Sequence, residues 1–261
     1  MTFSSTLLER RRRKWSMKTR KTVRSLWAIM YYLGFTPMVR NPLFIAFVFS
    51  TPFTLLFILF VASNGTALPY GLAGALTMTT TELGLFVGTD LATYKIQNRF
   101  QDMVVASPVS PLIYMFGVAL SELIFGAPAL LILFGLIAEQ GATIAALVAA
   151  LGVVVLLWVT TTSLGFFFSA YAPNSQNAFI INGFITTLLS VLPPVYYSVK
   201  VLPRFLAPVA EIIPTTEASS LFQGTIGLGY SIPPLLSFGV LLVATSIMLL
   251  LVSFRMKWRE N

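Results

Sequence analysis

The run Leu112-Ile-Tyr-Met-Phe-Gly-Val-Ala-Leu-Ser-Glu-Leu-Ile-Phe-Gly-Ala-Pro-Ala-Leu-Leu-Ile-Leu-Phe-Gly-Leu-Ile-Ala138 carries one charged side chain, Glu122. As a helix it is long enough to cross the ~30 Å hydrocarbon core of a bilayer. Runs of this kind recur along the chain, at about Pro42–Val61, Tyr70–Leu91, Thr143–Tyr171, Ala178–Tyr196 and Pro234–Phe254. The composition agrees: 56% of residues are hydrophobic and 10% charged, with a mean hydropathy of +0.83. A membrane β-barrel would instead show short alternating segments, and none are visible. The expected fold class is therefore an all-α integral membrane protein with six transmembrane helices. Between the third and fourth runs, Ala138-Glu-Gln-Gly-Ala142 is a very short break, made credible by Glu139, Gln140 and Gly141.

Lys and Arg orient these spans. Ten of the 17 precede the first run, from Arg10 to Arg40; Lys95 and Arg99 lie between the second and third, and Arg255, Lys257 and Arg259 follow the sixth. With six spans, fifteen fall on one side, against Lys200 and Arg204 on the other. The positive-inside rule then puts both termini in the cytoplasm, and no secretory signal opens the chain. The net charge of +8 flanks membrane segments. It reads as a topology signal with attraction for anionic lipids, not as a nucleic-acid surface.

The first 40 residues read as a cytoplasmic basic interfacial segment and residues 41–261 as the six-span domain. From Lys14 to Leu33, helical spacing gathers Trp15, Thr22, Leu26, Met30 and Leu33 on one face and Lys14, Lys18, Lys21 and Arg24 on the other. Such a helix lies in the headgroup plane, with Arg13 adding to its charge, and Gly34 and Pro37 are expected to end it. Pro52 and Pro128 should bend the first and third spans. Gly84-Leu-Phe-Val-Gly88 permits close helix contact, within the chain or across a dimer seam. On the outer face, about residues 198–231, Pro203, Pro208 and Pro214 cut the chain into short helices. Phe205, Leu206, Ile212, Ile213, Leu221 and Phe222 there ask for burial, which suggests re-entrant pieces capping a pathway.

Carboxylates inside apolar runs are costly and rarely idle, which singles out Glu82, Asp90 and Glu122 as pathway candidates. Glu82 and Asp90 are about two helical turns apart, within ~80° of each other around the helix. A structural role, tying helices together, competes with the functional one. The chain has no Cys and no His, so it lacks the usual metal ligands, a Ser-His nucleophile and the zinc-protease motif. It also lacks G-x-x-x-x-G-K-S/T. If ATP powers transport, another polypeptide supplies the ATPase. An ion-coupled secondary transporter or channel using the three acids is the alternative, though no internal repeat supports it.

Between the second and third spans stands Tyr94-Lys-Ile-Gln-Asn-Arg-Phe-Gln-Asp-Met-Val-Val-Ala-Ser-Pro-Val-Ser-Pro111. Asn98, Arg99, Gln101 and Asp102 offer exposed polar groups, while Phe100, Met103 and Val104 can embed. Pro108 and Pro111 fix where the chain re-enters the membrane. A short helix of this kind can dock in a groove on a soluble partner or be a plain amphipathic loop. The stretch Arg99 to Ser110, followed by Tyr114 and Gly117, resembles the signature between the second and third spans of type-2 ATP-binding-cassette exporter permeases. Leu202-Pro203-Arg-Phe-Leu and Ile212-Ile213-Pro214-Thr215-Thr216 are similar to that family's Leu-Pro-x-Trp-Leu and Pro-x-Thr stretches before the last span. Where the family has Gly-Thr this chain has Phe100-Gln101; Asp102 replaces the Glu and Phe205 the Trp.

The resemblance covers nearly the whole chain. It implies a cytoplasmic coupling helix within about residues 94–111, centred on Gln97–Ser107, with Gln97, Asn98, Arg99, Phe100, Gln101, Asp102 and Ser107 against a separate nucleotide-binding ATPase subunit. ATP and magnesium would bind there, a second permease copy would face this one, and the setting would be a prokaryotic cytoplasmic membrane. Spans lined by Phe, Leu and Ala favour a hydrophobic or amphiphilic substrate, such as a lipid, glycolipid or drug-like molecule.

Overall fold

The computed structural model describes residues 21–97 and 109–255. Arg13, Lys14, Trp15 and Lys18 of the basic segment, and Asn98 to Asp102 and Ser107 of the expected coupling helix, lie outside the described residues. Within them the fold is helical and contains no strand.

The amino-terminal helix, α1 (residues 21–40), does not stop at Gly34 and Pro37. It widens into a π-helical stretch at Tyr31–Phe35 and resumes at Thr36–Arg40. The wider turn lets the Thr36 N–H reach Tyr31 O, an acceptor its hydroxyl shares at 2.9 Å. Pro37, which has no N–H to offer, then sits in the first turn of the resumed helix. The helix ends at Asn41, held at φ −134° and ψ 79° by the following Pro42. Gly34 has a packing role: an added Cβ would stand 2.8 Å from Ser121 O. Of the expected apolar face, Leu26, Met30 and Leu33 are half-buried; Ile29 is buried deepest, against Gly117. Lys21 and Arg24 are exposed.

Five long helices follow: α2 (Pro42–Ala62), α3 (Leu68–Ala92), α4 (Pro111–Glu139), α5 (Ile144–Ser169) and α6 (Ser175–Ser190). The 198–231 segment contains α7 (Pro214–Thr225), and α8 (Pro234–Arg255) follows it. Among the described residues, Leu112–Glu139, Ile144–Ser169 and Pro234–Ser253 are both long and apolar enough to cross a membrane. The boundaries follow local chemistry. Pro111 occupies the first turn of α4, whose Ser110 cap accepts from Ile113 N–H at 3.4 Å. Thr143 and Asn174 cap α5 and α6 by accepting from Ala146 and Asn177 N–H. The expected break before α5 is present, with Gly141 at φ +87°. By contrast, α6 stops at Ser190, short of Tyr196, because Pro193 and Pro194 deny the next turn two N–H donors.

The hub is α3. It packs against α2, α4, α5, α6 and α7, and nearly every residue from Gly71 to Gly88 is buried. A helix that is apolar or small all round belongs inside. Three of its hydroxyls are satisfied by its own backbone: Thr77, Thr80 and Thr81 donate to carbonyls four residues back at 2.7–2.8 Å, while the buried Thr79 hydroxyl has no partner among the described residues. The Gly84/Gly88 pair is a seam within the chain. A Cβ on Gly84 would collide with the Thr161 hydroxyl of α5, and one on Gly88 with the Gly165 carbonyl. Gly165 answers with its own bare backbone, 2.9 Å from Leu85 O to a hypothetical Cβ. The main apolar core gathers here, Leu72, Leu76, Leu133, Leu157, Phe222 and Leu241 joining α3, α4, α5, α7 and α8.

The 198–231 segment is in pieces, a 3₁₀ turn at Val199–Val201 and a single helical turn at Ala207–Ala210 preceding α7. Burial divides it. Leu221 and Phe222 enter the core, while Phe205 and Ile212 stay on the surface, about three-quarters exposed. The expectation that all these apolar residues are covered fails for the Pro-rich piece, which lies outside the packed α7.

Candidate functional site

Glu82 and Asp90 both project from α3, but they meet different partners. Asp90, near the end of α3 that precedes Thr93–Gln97, forms a side-chain hydrogen bond with Glu122 of α4. Two carboxyl groups can share such a bond only with a proton between them. Tyr94, one turn on, donates its hydroxyl to Asp90 Oδ2 at 3.1 Å. Its position follows from α3 continuing past Ala92 as a π-helical turn, Thr93–Gln97. Gln97 closes that turn, seven residues after Asp90 in the chain, and the rest of the expected coupling segment lies outside the described residues.

Beside the pair lies a cavity of about 510 Å³ between α1, α2, α3, α4 and α6. Apart from Asp90, Glu122, Tyr94, Thr89 and Asn41 its walls are apolar; Leu33, Val48, Phe86, Phe125 and Phe179 line it. An acid pair on an aromatic wall can tie helices together, pass a proton, or meet a polar group of a substrate. Glu82 stands apart. It is 6% exposed, and its Oε2 has no hydrogen-bond partner among the described residues. The Tyr196 ring, within electrostatic reach of Glu82, rests where a Gly74 Cβ would be, and its hydroxyl donates to Met78 Sδ at 3.3 Å.

Two features escaped the sequence reading. Asn182 of α6 donates its amide to Thr89 Oγ1 at 2.8 Å, tying α6 to α3 one residue before Asp90. An Asn within an apolar run was a visible signal for it. The second is Glu217 on α7, fully buried, neither carboxylate oxygen having a hydrogen-bond partner of ordinary geometry among the described residues. Loss of water lifts this carboxyl above the usual carboxylate range; the Ser237 hydroxyl of α8 offsets part of the rise and Glu211 adds to it. Around it α7 is polar yet buried. Ser219 donates to Val195 O, Thr215 to Leu189 O, and Ser231 to Gln223 Oε1 at 2.6 Å. These bonds tie α7 to the end of α6, to the turn that follows α6 and to the segment before α8.

No group of three or more potential metal ligands occurs among the described residues. The family model described as "ABC-2 type transporter" matches residues 13–227 of this chain. That span runs from the basic segment through α7, and so includes the Asp90–Glu122 pair and the expected coupling segment. No curated protein matches the sequence.

Proposed function

We infer that this chain, which belongs to the ABC-2 type transporter family, carries a hydrophobic or amphiphilic substrate outward across a prokaryotic cytoplasmic membrane. As a family member it is the membrane permease subunit of an ABC exporter, working with an ATP-binding subunit. The finer reading has six spans, α2, α3, α4, α5, α6 and α8, with both termini cytoplasmic. A second permease copy faces the first. The segment Gln97–Ser107 is the coupling helix, and ATP with magnesium binds on the partner ATPase. The observation that carries this reading is the match across residues 13–227, joined to the absence of any phosphate-binding loop in the chain. Energy must therefore enter from outside.

The geometry supports a path for it. A push on Gln97–Ser107 bears on the π-helical turn at Thr93–Gln97, hence on α3, and α3 touches five other helices. Rigid packed helices transmit such displacements well. Asp90 and Glu122 form the polar element of the pathway nearest this input, and Glu82 a second one deeper in α3. The pair also suits the ion-coupled alternative, which predicts gradient-driven flux by the chain alone.

The test is charge reversal in the coupling segment, Arg99→Glu or Asp102→Lys, in the complex purified with its ATPase. The variants should insert normally but lose the ATPase subunit, or retain it and lose transport-stimulated ATP hydrolysis. Wild-type assembly and wild-type transport in both variants would remove the coupling assignment.

A further inference from the structure

The cavity beside the Asp90–Glu122 pair has a direction. Its rim is open: Leu43, at the start of α2, is 79% exposed and Phe179 of α6 48%. Its floor is closed, where Val48, Glu122 and Phe125 are 3–8% exposed. Phe86, Asp90 and Tyr94 are half-buried, between these extremes. The Phe86 and Phe179 rings pack across α3 and α6 with centroids 6.2 Å apart. At about 510 Å³ the cavity lies within the roughly 300–1,000 Å³ of small-molecule sites.

Charge narrows the occupant. A carboxyl pair that shares one proton keeps one negative charge. No Lys or Arg lines the cavity to answer it. A charge in an apolar enclosure is costly unless a counter-charge meets it. An anionic headgroup, such as a phosphate, would add like charge and is repelled. A metal ion is poorly served too, since no third acid joins the pair among the described residues. What the walls do supply is rings, from Phe86, Tyr94, Phe125 and Phe179, and ring faces attract an organic cation. Asp90 is the half-buried member of the pair and lines the open volume. A carboxylate has about four lone-pair sites, and Tyr94 and Glu122 account for two of them.

We propose that this cavity seats a lipophilic organic cation, an amine or quaternary ammonium on an apolar or aromatic body. Its charge lies toward Asp90 and Glu122, and its body lies along Phe86, Phe125 and Phe179. This deepens the exporter reading by naming the class of its amphiphile, and rests on that reading for outward transport. The acid pair by itself would only tie α3 to α4. The open volume, the aromatic walls and the uncompensated charge together make it a site. The rim, at Pro37, Asn41 and Leu43, is where α1 passes into α2, so the ligand enters from the side of the helix bundle. The same charge turns away phosphate-bearing lipids, which apolar spans alone would admit.

The test uses the full chain in phosphatidylcholine nanodiscs, with protein-free discs subtracted. Radiolabelled tetraphenylphosphonium and tetraphenylborate, ions of one shape and opposite charge, are measured separately by equilibrium dialysis. The phosphonium should bind saturably and roughly 10- to 100-fold more tightly than the borate, the worth of one charge contact at ~6 Å in a medium of effective dielectric ~20. The double variant Asp90→Asn/Glu122→Gln should lose a similar factor for the phosphonium. Phe125→Leu, which keeps an apolar side chain, should lose roughly 3- to 10-fold. Glu139→Gln, which removes an exposed carboxylate at the far end of α4, should bind as wild type does. Equal binding of the two ions, no saturable phosphonium binding, wild-type affinity in the double variant or in Phe125→Leu, or an equal loss in Glu139→Gln would each overturn the proposal. The comparison of the two ions needs no variant, so it stands even if a substitution unfolds the chain. The assay needs no ATPase, so a failure here and a failure of ATP-driven export read out separately.

Discussion

Gly88→Ala tests the seam on which the helix hub is built. The added methyl would overlap the Gly165 carbonyl oxygen of α5, and would lie 2.9 Å from the Gly165 carbonyl carbon and 3.0 Å from Asn182 Nδ2. The first two are backbone atoms, so relief requires α3 and α5 to separate. The third disturbs the Asn182–Thr89 bond. Overpacking of this kind costs about 1–3 kcal/mol. Replacing a helical Gly by Ala also returns about 1 kcal/mol of helix propensity, which would mask part of the loss. Gly152→Ala on α5 supplies the control: it gains the same propensity and meets nothing within 4 Å. The difference between the two variants isolates the collision. It should be about 1–3 kcal/mol, or roughly 2–12 °C in unfolding midpoint for a chain of this size. Thermal unfolding of both variants in one detergent measures it. If Gly88→Ala is as stable as Gly152→Ala, α3 and α5 do not meet as described, and the Gly84/Gly88 pair returns to being a candidate contact between two copies.

Two further outcomes follow from the buried acids. In a double-mutant cycle of Asp90→Asn and Glu122→Gln, unfolding should show a coupling of about 0.5–3 kcal/mol, whereas either substitution combined with Glu82→Gln should be additive within ~0.5 kcal/mol. Additivity at Asp90 and Glu122 would break the pair. Glu217 sets a pH dependence. Its carboxyl is raised in the folded state, so folded chain binds the proton more readily than unfolded chain. The associated stability is complete below the unfolded Glu range of ~4.3 and is lost as pH rises through the raised folded value. Wild type should gain stability on acidification from neutral pH, and Glu217→Gln should lose that part of the slope. Parallel pH curves for the two proteins would refute the assignment.

The amino-acid sequence by itself determined where most helices form and stop, the ends of α1 and α6 excepted. Apolar runs with breakers between them need no tertiary information. Ser110, Thr143 and Asn174 cap helices, and Pro42, Pro111 and Gly141 punctuate the chain through backbone geometry that acts within a few residues. It also carried the family, through the Arg99–Ser110 stretch and the Pro-rich motifs between Leu202 and Thr216. Partner choice was settled by the tertiary structure alone. Around the helix wheel Glu82 and Asp90 looked like neighbours; packing gave Asp90 to Glu122 and left Glu82 apart. Gly34 looked like a stop and is a contact with Ser121. The Gly84/Gly88 motif named no partner until α5 supplied one. The physical reason is common to all three. In water a polar face tells a helix which side to bury, but helices that are apolar or small all round, as α2, α3 and α5 are, carry no such instruction. Their rotation and neighbours are set by steric fit and by a few interhelical hydrogen bonds, and those exist only once the helices are assembled.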